Sequence, residues 1–209
     1  SLGGASLNFS DANAITVANA GSFTVDVAGS VTSVAADDNS DIVATGAITI
    51  TAGGSVGSSD TDRLDIDSIT GLVNITAGNA GASTVETIFI RSNNAGDMNL
   101  GLLKIEDSDN SSADVVNLEV VGDIIDGNAA AVNISARDIQ LRLTATADDE
   151  NSSGFGTAAD LIEVAGIAAD KLSILDATGT ELTTDTSVKG VHISAATALT
   201  LQEDIFTTN

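Results

Sequence analysis

Apolar and polar residues alternate with a period of two in short runs that recur along the chain. A period of two places successive side chains on opposite faces of a β-strand, whereas a helix shows a period of about 3.6. Gly, Asn, Asp and Ser separate the runs, which favours strands joined by turns. The sequence therefore predicts many short strands, each with one buried face. The clearest runs are residues 15–17, 23–27, 48–50, 64–66, 73–75, 118–120, 132–134, 141–143, 172–174 and 199–201.

One segment of the chain repeats without gaps. The ten residues from Ser22, SFTVDVAGSV, align with the ten residues from Ala47, AITITAGGSV, at a displacement of 47 − 22 = 25. Self-similarity at such a period is typical of stacked structural repeats. The apolar pairs that coincide are Phe23/Ile48, Val25/Ile50 and Val31/Val56.

A longer segment aligns at a larger displacement. The segment from Gly54, GSVGSSDTDRLDIDSITGLVNITA, aligns with the segment from Gly122, GDIIDGNAAAVNISARDIQLRLTA, at 122 − 54 = 68. A third, looser copy, GFGTAADLIEVAG, begins at Gly154. The apolar residues in equivalent roles are Val56/Ile124, Leu64/Val132, Ile66/Ile134, Val73/Leu141 and Ile75/Leu143, with Phe155, Ile162 and Val164 in the third copy.

These displacements predict an all-β fold of stacked coils. A displacement of 68 divides into about three units of about 23 residues, which together with the 25-residue repeat indicates coils of about 20 to 25 residues. The prediction is a single-stranded parallel β-helix of about eight or nine coils, forming one continuous domain over residues 1–209. An immunoglobulin-like β-sandwich is the alternative. The absence of Trp and Tyr and the gap-free repeat argue against that alternative.

The charge of the chain excludes several functions. Seven Lys and Arg against thirty Asp and Glu give a net charge of −23. This charge opposes binding to nucleic acid and to anionic membrane surfaces. The 43% of hydrophobic residues is sufficient for a folded core, and the absence of Cys excludes disulfides and thiolate metal sites. No apolar stretch approaches the length of a membrane span, so we expect no membrane insertion.

The repeat units resemble those of a known class of surface protein. The units GSVGSSDTDRLDID, GDIIDGNAAAVNI and GFGTAADLIEV are similar to the degenerate repeats of filamentous-haemagglutinin-like adhesins and other very large bacterial surface proteins. The similarity covers approximately residues 22–177 and weakly the remainder. It implies an exported prokaryotic rod at the cell surface, used in a filament, a sheath or an adhesin stalk. We expect the main partner to be further copies of the chain, with a surface glycan or a host receptor as the alternative, although no residue cluster identifies such a ligand.

The ends of the chain also bear on assembly. Neither the segment SLGGA at the start nor the segment FTTN at the end resembles the polar cap that covers the last coil of soluble solenoids. The chain also begins without Met or a leader sequence, which indicates a processed product or a segment of a longer chain. We therefore expect the rod either to continue in a longer polypeptide or to stack on copies of itself.

The sequence does not predict an enzyme. Parallel β-helices include carbohydrate-active enzymes, which makes such an enzyme the alternative function, and glycoside hydrolysis needs two carboxylates across a cleft. Thirty acids offer many nominal pairs, which we expect on solvent faces or in turns, so no pair is distinguished. The single histidine, His192, alternates with Val191 and Ile193 and is expected to point outward. No G-x-S-x-G motif accompanies it.

Acidic clusters in the predicted turns are candidates for calcium binding. Carboxylate oxygens on irregular loops are the ligands that Ca²⁺ prefers. None of the clusters completes a twelve-residue calcium loop, and the G-G-x-G-x-D nonapeptide is absent. A solvated acidic face that keeps the rod soluble is the alternative interpretation. The candidate ligands are Asp37, Asp38, Asp41, Asp60, Asp62, Asp107, Asp109, Asp148 and Asp149.

Overall fold

In the computed structural model, the described part of the chain consists of short β-strands joined by turns and loops. The described residues are 5–9, 15–17, 19, 21–33, 40–68, 70–81, 84–92, 96–106, 113–143, 153–165, 170–176, 179–180, 190–195 and 199–201, and they contain no helix. The strands are β1 (Leu7–Phe9), β2 (Ile15–Val17), β3 (Phe23–Val27), β4 (Val31–Ser33), β5 (Ile42–Ala44), β6 (Ile48–Ala52), β7 (Leu64–Ser68), β8 (Leu72–Ala77), β9 (Thr87–Ser92), β10 (Met98–Ile105), β11 (Val115–Val120), β12 (Ile124–Asp126), β13 (Ile134–Ser135), β14 (Asp138–Leu143), β15 (Gly154–Phe155), β16 (Ile162–Ala165), β17 (Asp170–Leu175), β18 (Gly190–Val191), β19 (Ile193–Ala195) and β20 (Leu199–Leu201).

The strands form two parallel ladders between which the chain passes back and forth. Ladder A contains β3, β6, β8, β10, β13, β16 and β19, with β12, β15 and β18 beside them. Ladder B contains β2, β5, β7, β9, β11, β14, β17 and β20, and the pair β1–β4 joins it through bridges from Val31 to Val56 and from Val56 to Ile88. Every pairing in the two ladders is parallel, so the predicted parallel β-solenoid is confirmed and the antiparallel sandwich is wrong.

The 25-residue repeat of the sequence corresponds to the register in which strands of successive coils pair. Strand β3 pairs with β6 at Phe23/Ile48 and at Val25/Ile50, the pairs that the alignment predicts. The same displacement continues into β8, because Ile50 pairs with Ile75. The predicted pair Val31/Val56 is also present as a parallel bridge.

The 68-residue displacement, in contrast, does not describe stacking. Val73 lies in β8 of ladder A, whereas its aligned partner Leu141 lies in β14 of ladder B. The third copy, however, stacks directly on the second, because Phe155 pairs with Ile124 and Val164 pairs with Ile134. Only its relation to the first copy fails, since Val56 bridges ladder B. Strands of both ladders bury alternate residues, so segments from opposite faces share one apolar pattern and align without being neighbours.

The coils are longer than the sequence predicts. Ladder B steps from Leu118 to Leu141 in 141 − 118 = 23 residues, but from Leu141 to Ile174 in 174 − 141 = 33. Loops such as residues 57–63 and 127–133 lengthen individual coils. The solenoid accordingly has fewer turns than the predicted eight or nine coils.

The core lies between the two ladders and consists of stacked aliphatic side chains. In ladder A, Ile50, Ile75 and Leu103 form one buried column. In ladder B, Leu118 and Leu141 belong to another. Each fully buried side chain of this type contributes about 1.5–3 kcal/mol relative to exposure. The alternation in the sequence thus produces two ladders that bury one set of side chains and hold the other set facing outward.

Candidate functional site

Charged side chains are stacked on the outward side of ladder B. Asp65 pairs in register with Arg91, Arg91 with Glu119, and Glu119 with Arg142, so the charge alternates from coil to coil. The Arg91 guanidinium binds both oxygens of the Asp65 carboxylate, with Nε 2.6 Å from Oδ1 and Nη2 2.8 Å from Oδ2. Opposite charges directly across a sheet stabilise it, and bidentate arginine pairs are the strongest of this type.

Residues 57–63 leave the coil and cross the outside of ladder B; we call them the strap. Gly57 begins the strap with φ +70°, and a Cβ at this position would collide with the carbonyl oxygen of Phe89 in β9. The strap closes on itself, because the Ser58 N–H donates to the Asp62 carbonyl at 3.0 Å and the Asp62 N–H donates to the Ser59 carbonyl at 3.1 Å. Only glycine fits both the backbone angle and the close approach at residue 57.

The strap binds side chains of two further coils. The Asn117 Nδ2 of β11 donates to Asp60 Oδ1 at 3.2 Å, and the Arg142 guanidinium of β14 forms an ion pair with Asp60 Oδ2. Arg63 donates from Nε and Nη2 to Asn117 Oδ1 at 3.3 and 3.2 Å. Its Nη1 lies 3.3 Å from Glu119 Oε2, and its Nη2 lies 2.9 Å from Asp60 Oδ1.

These side chains form one partly buried cluster, the polar network, in which Asp60 is half exposed. Asn117 is 0% exposed, Arg63 is 8% exposed and Arg142 is 7% exposed. Gly179 lies against the Arg142 guanidinium, where a Cβ would collide with it. Three acids and three arginines balance in charge, and each charge has a partner of opposite sign nearby, as buried charges require. The members are Asp60, Arg63, Asp65, Arg91, Asn117, Glu119, Gln140 and Arg142.

Burial shifts two ionisations within the network. Burial lowers the pKa of Arg63, although the charge of Glu119 opposes the shift. Burial raises the pKa of Glu119, although the charge of Arg63 opposes that shift. In both groups desolvation outweighs the attraction of the partner. The charged groups of the polar network thus bind one another, and these contacts join successive coils.

The structure describes three of the nine predicted calcium ligands. Asp60 accepts from arginines on both carboxylate oxygens. Asp62 accepts from the Ser58 hydroxyl, and Asp41 accepts from Ser33 Oγ at 3.0 Å and from the Asp65 N–H at 2.9 Å. In the described part of the chain, no group of three or more acidic or histidine side chains could hold a metal ion. Asp37, Asp38, Asp107, Asp109, Asp148 and Asp149 lie outside the described residues.

Several acids are buried, which differs from the expectation that they lie on solvent faces or in turns. Asp65 is 4% exposed, Glu86 and Asp114 are each 2% exposed, and Asp126 is 7% exposed. They occur where a loop or strap covers the outside of a coil or where the coil turns, and nearby N–H groups donate to the carboxylates of Asp65, Asp114 and Asp126, whereas the Thr84 hydroxyl donates to that of Glu86. The Glu86 N–H, for example, donates to Asp114 Oδ1 at 3.2 Å.

His192 lies between β18 and β19. Val191 and Ile193 pack against the core, as the alternation predicts, but His192 itself is partly buried. Its N–H donates to the Phe155 carbonyl at 2.7 Å, and its carbonyl accepts from the Ile162 N–H at 3.0 Å. The side chain borders a cavity of about 180 Å³ together with Asp123 and Thr157. The backbone of His192 is thus part of the stacking between coils.

Sequence reasoning missed the polar network although its signal was present. The runs Leu64-Asp65-Ile66, Leu118-Glu119-Val120 and Leu141-Arg142-Leu143 each place one charge between two buried residues. Stacking these runs in chain order, with Arg91 between the first two, gives alternating charge. The displacement of 68 concealed this, because it aligned Asp65 with Asn133 of ladder A.

Comparison of the chain with protein-family models, with curated proteins and with solved structures finds no match. The structure itself defines the class: this is an all-β parallel β-solenoid built of stacked coils. The fold confirms the general resemblance to β-helix repeat proteins. The comparisons provide no family or relative for the more specific resemblance to filamentous-haemagglutinin-like adhesins. Among the described residues there is also no helix long and apolar enough to cross a bilayer.

Proposed function

We propose that this chain is a non-catalytic structural protein of a prokaryotic cell surface. In this proposal it is an extracellular β-rod that builds a filament, a sheath or an adhesin stalk and associates with itself. The carrying observation is the pair of parallel ladders, which extend from the first described strands to the last. A further support is that the charged groups of the polar network bind one another instead of surrounding an open site.

The edges of the ladders support self-association. Within the described residues, β3 pairs only with β6, and β20 pairs only with β17. A strand with one unpaired edge presents a row of N–H and C=O groups that can pair with a further strand. Coils of a second copy or of an adjoining segment match such an edge, because they have the same parallel geometry.

Net charge determines the conditions for assembly. Rods of this chain carry −23 each and repel one another when they approach side by side. Salt screens this repulsion, and divalent cations reduce it further. We therefore expect association that depends on cations, with the acidic clusters of the predicted turns as the places where Ca²⁺ acts.

The test is negative-stain electron microscopy with size-exclusion chromatography of the purified chain. The buffers contain millimolar Ca²⁺, the same Ca²⁺ with a chelator, or NaCl at equal ionic strength. We expect filaments or sheets, promoted by Ca²⁺ and reversed by the chelator. Short monomeric rods in all three buffers would overturn self-association and leave the segment of a larger adhesin as the form of the proposal to pursue.

A further inference from the structure

The strap departs from the usual contact pattern of a solenoid. In stacked-repeat proteins each coil contacts only its neighbours, so stability is a sum of nearest-neighbour terms and end coils can unfold separately. The strap belongs to the coil of β6 and β7, yet it contacts the next three coils in ladder B. Gly57 lies on Phe89 of β9, Arg63 binds Asn117 of β11, and Asp60 binds Arg142 of β14.

The contacts span long stretches of sequence, and one partner in each of them is buried. Arg63 and Asn117 are separated by 54 residues, and Asp60 and Arg142 by 142 − 60 = 82. Detaching the β14 coil therefore breaks its pairing with β11 and, in addition, the ion pair to a coil three steps away. Arg63, Asn117 and Arg142 are nine-tenths or more buried, whereas the Asp60 side chain is half exposed. Solvent therefore screens these interactions less than it screens ion pairs between two fully exposed side chains.

We propose that the strap makes the coils carrying β7, β9, β11 and β14 a single cooperative unit. The rod then opens as a block in this region instead of losing one coil at a time. This inference goes beyond the proposed function, because it concerns the internal coupling of the rod and holds whatever the rod binds. Adjacent coils are joined by strand pairing, and the polar network adds contacts between coils that are not adjacent. These additional contacts are the physical basis of the cooperativity.

The chain contains a matched control for the strap. The turn after β15 has the same local form, since Gly156 has φ +69° and the Thr157 and Asp160 backbones hydrogen-bond to each other. The strap has its Gly57 at φ +70° and a corresponding bridge between Ser59 and Asp62. Asp60 and Asp160 are both exposed, but Asp60 binds side chains of two other coils, and the described residues show no such contact for the Asp160 carboxylate.

The test is native-state hydrogen exchange of the full chain, followed by mass spectrometry. In the unchanged protein we expect the amides of β7 and β14 to open with one common free energy. Asp60→Asn should make the β14 amides exchange at least about tenfold faster than those of β7. In Asp160→Asn the amides of β7 and β14 should still exchange at the same rate. Independent exchange of β7 and β14 in the unchanged protein would overturn the proposal, as would an equal separation in Asp160→Asn.

A double-mutant cycle covers the case in which Asp60→Asn alone fails to fold. That variant leaves the buried Arg142 without its acidic partner, whereas Asp60→Asn combined with Arg142→Gln removes both charges. We expect the double variant to fold, by circular dichroism, and to show the same separation between β7 and β14. If the double variant keeps β7 and β14 exchanging together, the strap does not couple the coils.

Discussion

The Asn133 side chain shows how a single amide fixes a coil in place. It is 0% exposed, and its Nδ2 lies 3.1 and 3.2 Å from two carbonyl oxygens of β10. The same nitrogen lies 2.8 Å from Asp126 Oδ1 and 3.1 Å from Asn128 Oδ1. Its Oδ1 accepts from the Glu163 N–H of the next coil at 2.8 Å. The amide therefore fills the centre of four oxygens and joins three coils.

Replacing this amide by a carboxylate tests the arrangement. In Asn133→Asp an acceptor oxygen replaces the donor nitrogen among four acceptors, so every contact of Nδ2 becomes repulsive. We expect a loss of about 3 kcal/mol in the free energy of unfolding at neutral pH, measured by chemical denaturation. The control is Asn79→Asp, because Asn79 is exposed and uses its Oδ1 to accept from the Gly81 N–H, a role that Asp retains. Equal losses in the two variants would contradict the assigned role of Nδ2.

At the scale of the element, the strap depends on one glycine. Gly57 has φ +70°, and a Cβ there would meet the carbonyl oxygen and the Cβ of Phe89. Strands β7 and β9 pair beneath the strap, so β9 cannot move away without opening the ladder. The strap itself must therefore lift from ladder B if residue 57 acquires a side chain.

Gly57→Ala is therefore expected to destabilise the chain by about 2 kcal/mol or more, because it combines an unfavourable φ with a backbone collision. The measurement is the midpoint of urea denaturation. Gly81→Ala is the control, since the nearest heavy atom to its Cβ would be 3.8 Å away. That variant should change stability by no more than about 0.5 kcal/mol. A Gly57→Ala protein as stable as the control would mean that the strap is not held against β9.

The elements that sequence reasoning predicted correctly are those with strict alternation and constant coil length. Strands β3, β6 and β8 repeat every 25 residues, so their register could be read from the sequence alone. The strap and the loop 127–133 change the coil length, and after them no single displacement holds. The charged positions of the polar network in ladder B could be read from local runs, but its strap contacts join residues 54 and 57 positions apart, and no local pattern encodes those contacts.

At the scale of the whole molecule, charge is distributed unevenly. The polar network contains three acids and three arginines, so it contributes no net charge to the total of −23. The rest of the chain therefore carries the whole excess, with only 7 − 3 = 4 Lys and Arg for 30 − 3 = 27 Asp and Glu. The arginines concentrate inside the network, where they join coils, and leave the remaining acids to repel one another.

This repulsion predicts how stability responds to ions. At about 0.15 M ionic strength the Debye length is about 8 Å, so salt screens the exposed acids more strongly than the partly buried polar network. We expect NaCl to raise the thermal midpoint by about 3 °C or more, the shift that about 1 kcal/mol produces at this chain length. A thermal midpoint that is unchanged or lower in NaCl would show that repulsion between the exposed acids does not reduce the stability of the fold significantly.

Calcium at the same ionic strength separates screening from specific binding. Six of the nine candidate ligands belong to acidic sequence clusters outside the described residues, whereas Asp41, Asp60 and Asp62 accept from donors of the chain itself. Asp60→Asn therefore removes an ion-pair partner of the network, and Asp148→Asn combined with Asp149→Asn removes two candidate ligands from one acidic cluster. If calcium binds these clusters, CaCl₂ raises the midpoint above that in matched NaCl, and the double variant loses this excess while Asp60→Asn retains it. Identical midpoints in the two salts would reject calcium sites and favour the alternative interpretation of a solvated acidic face.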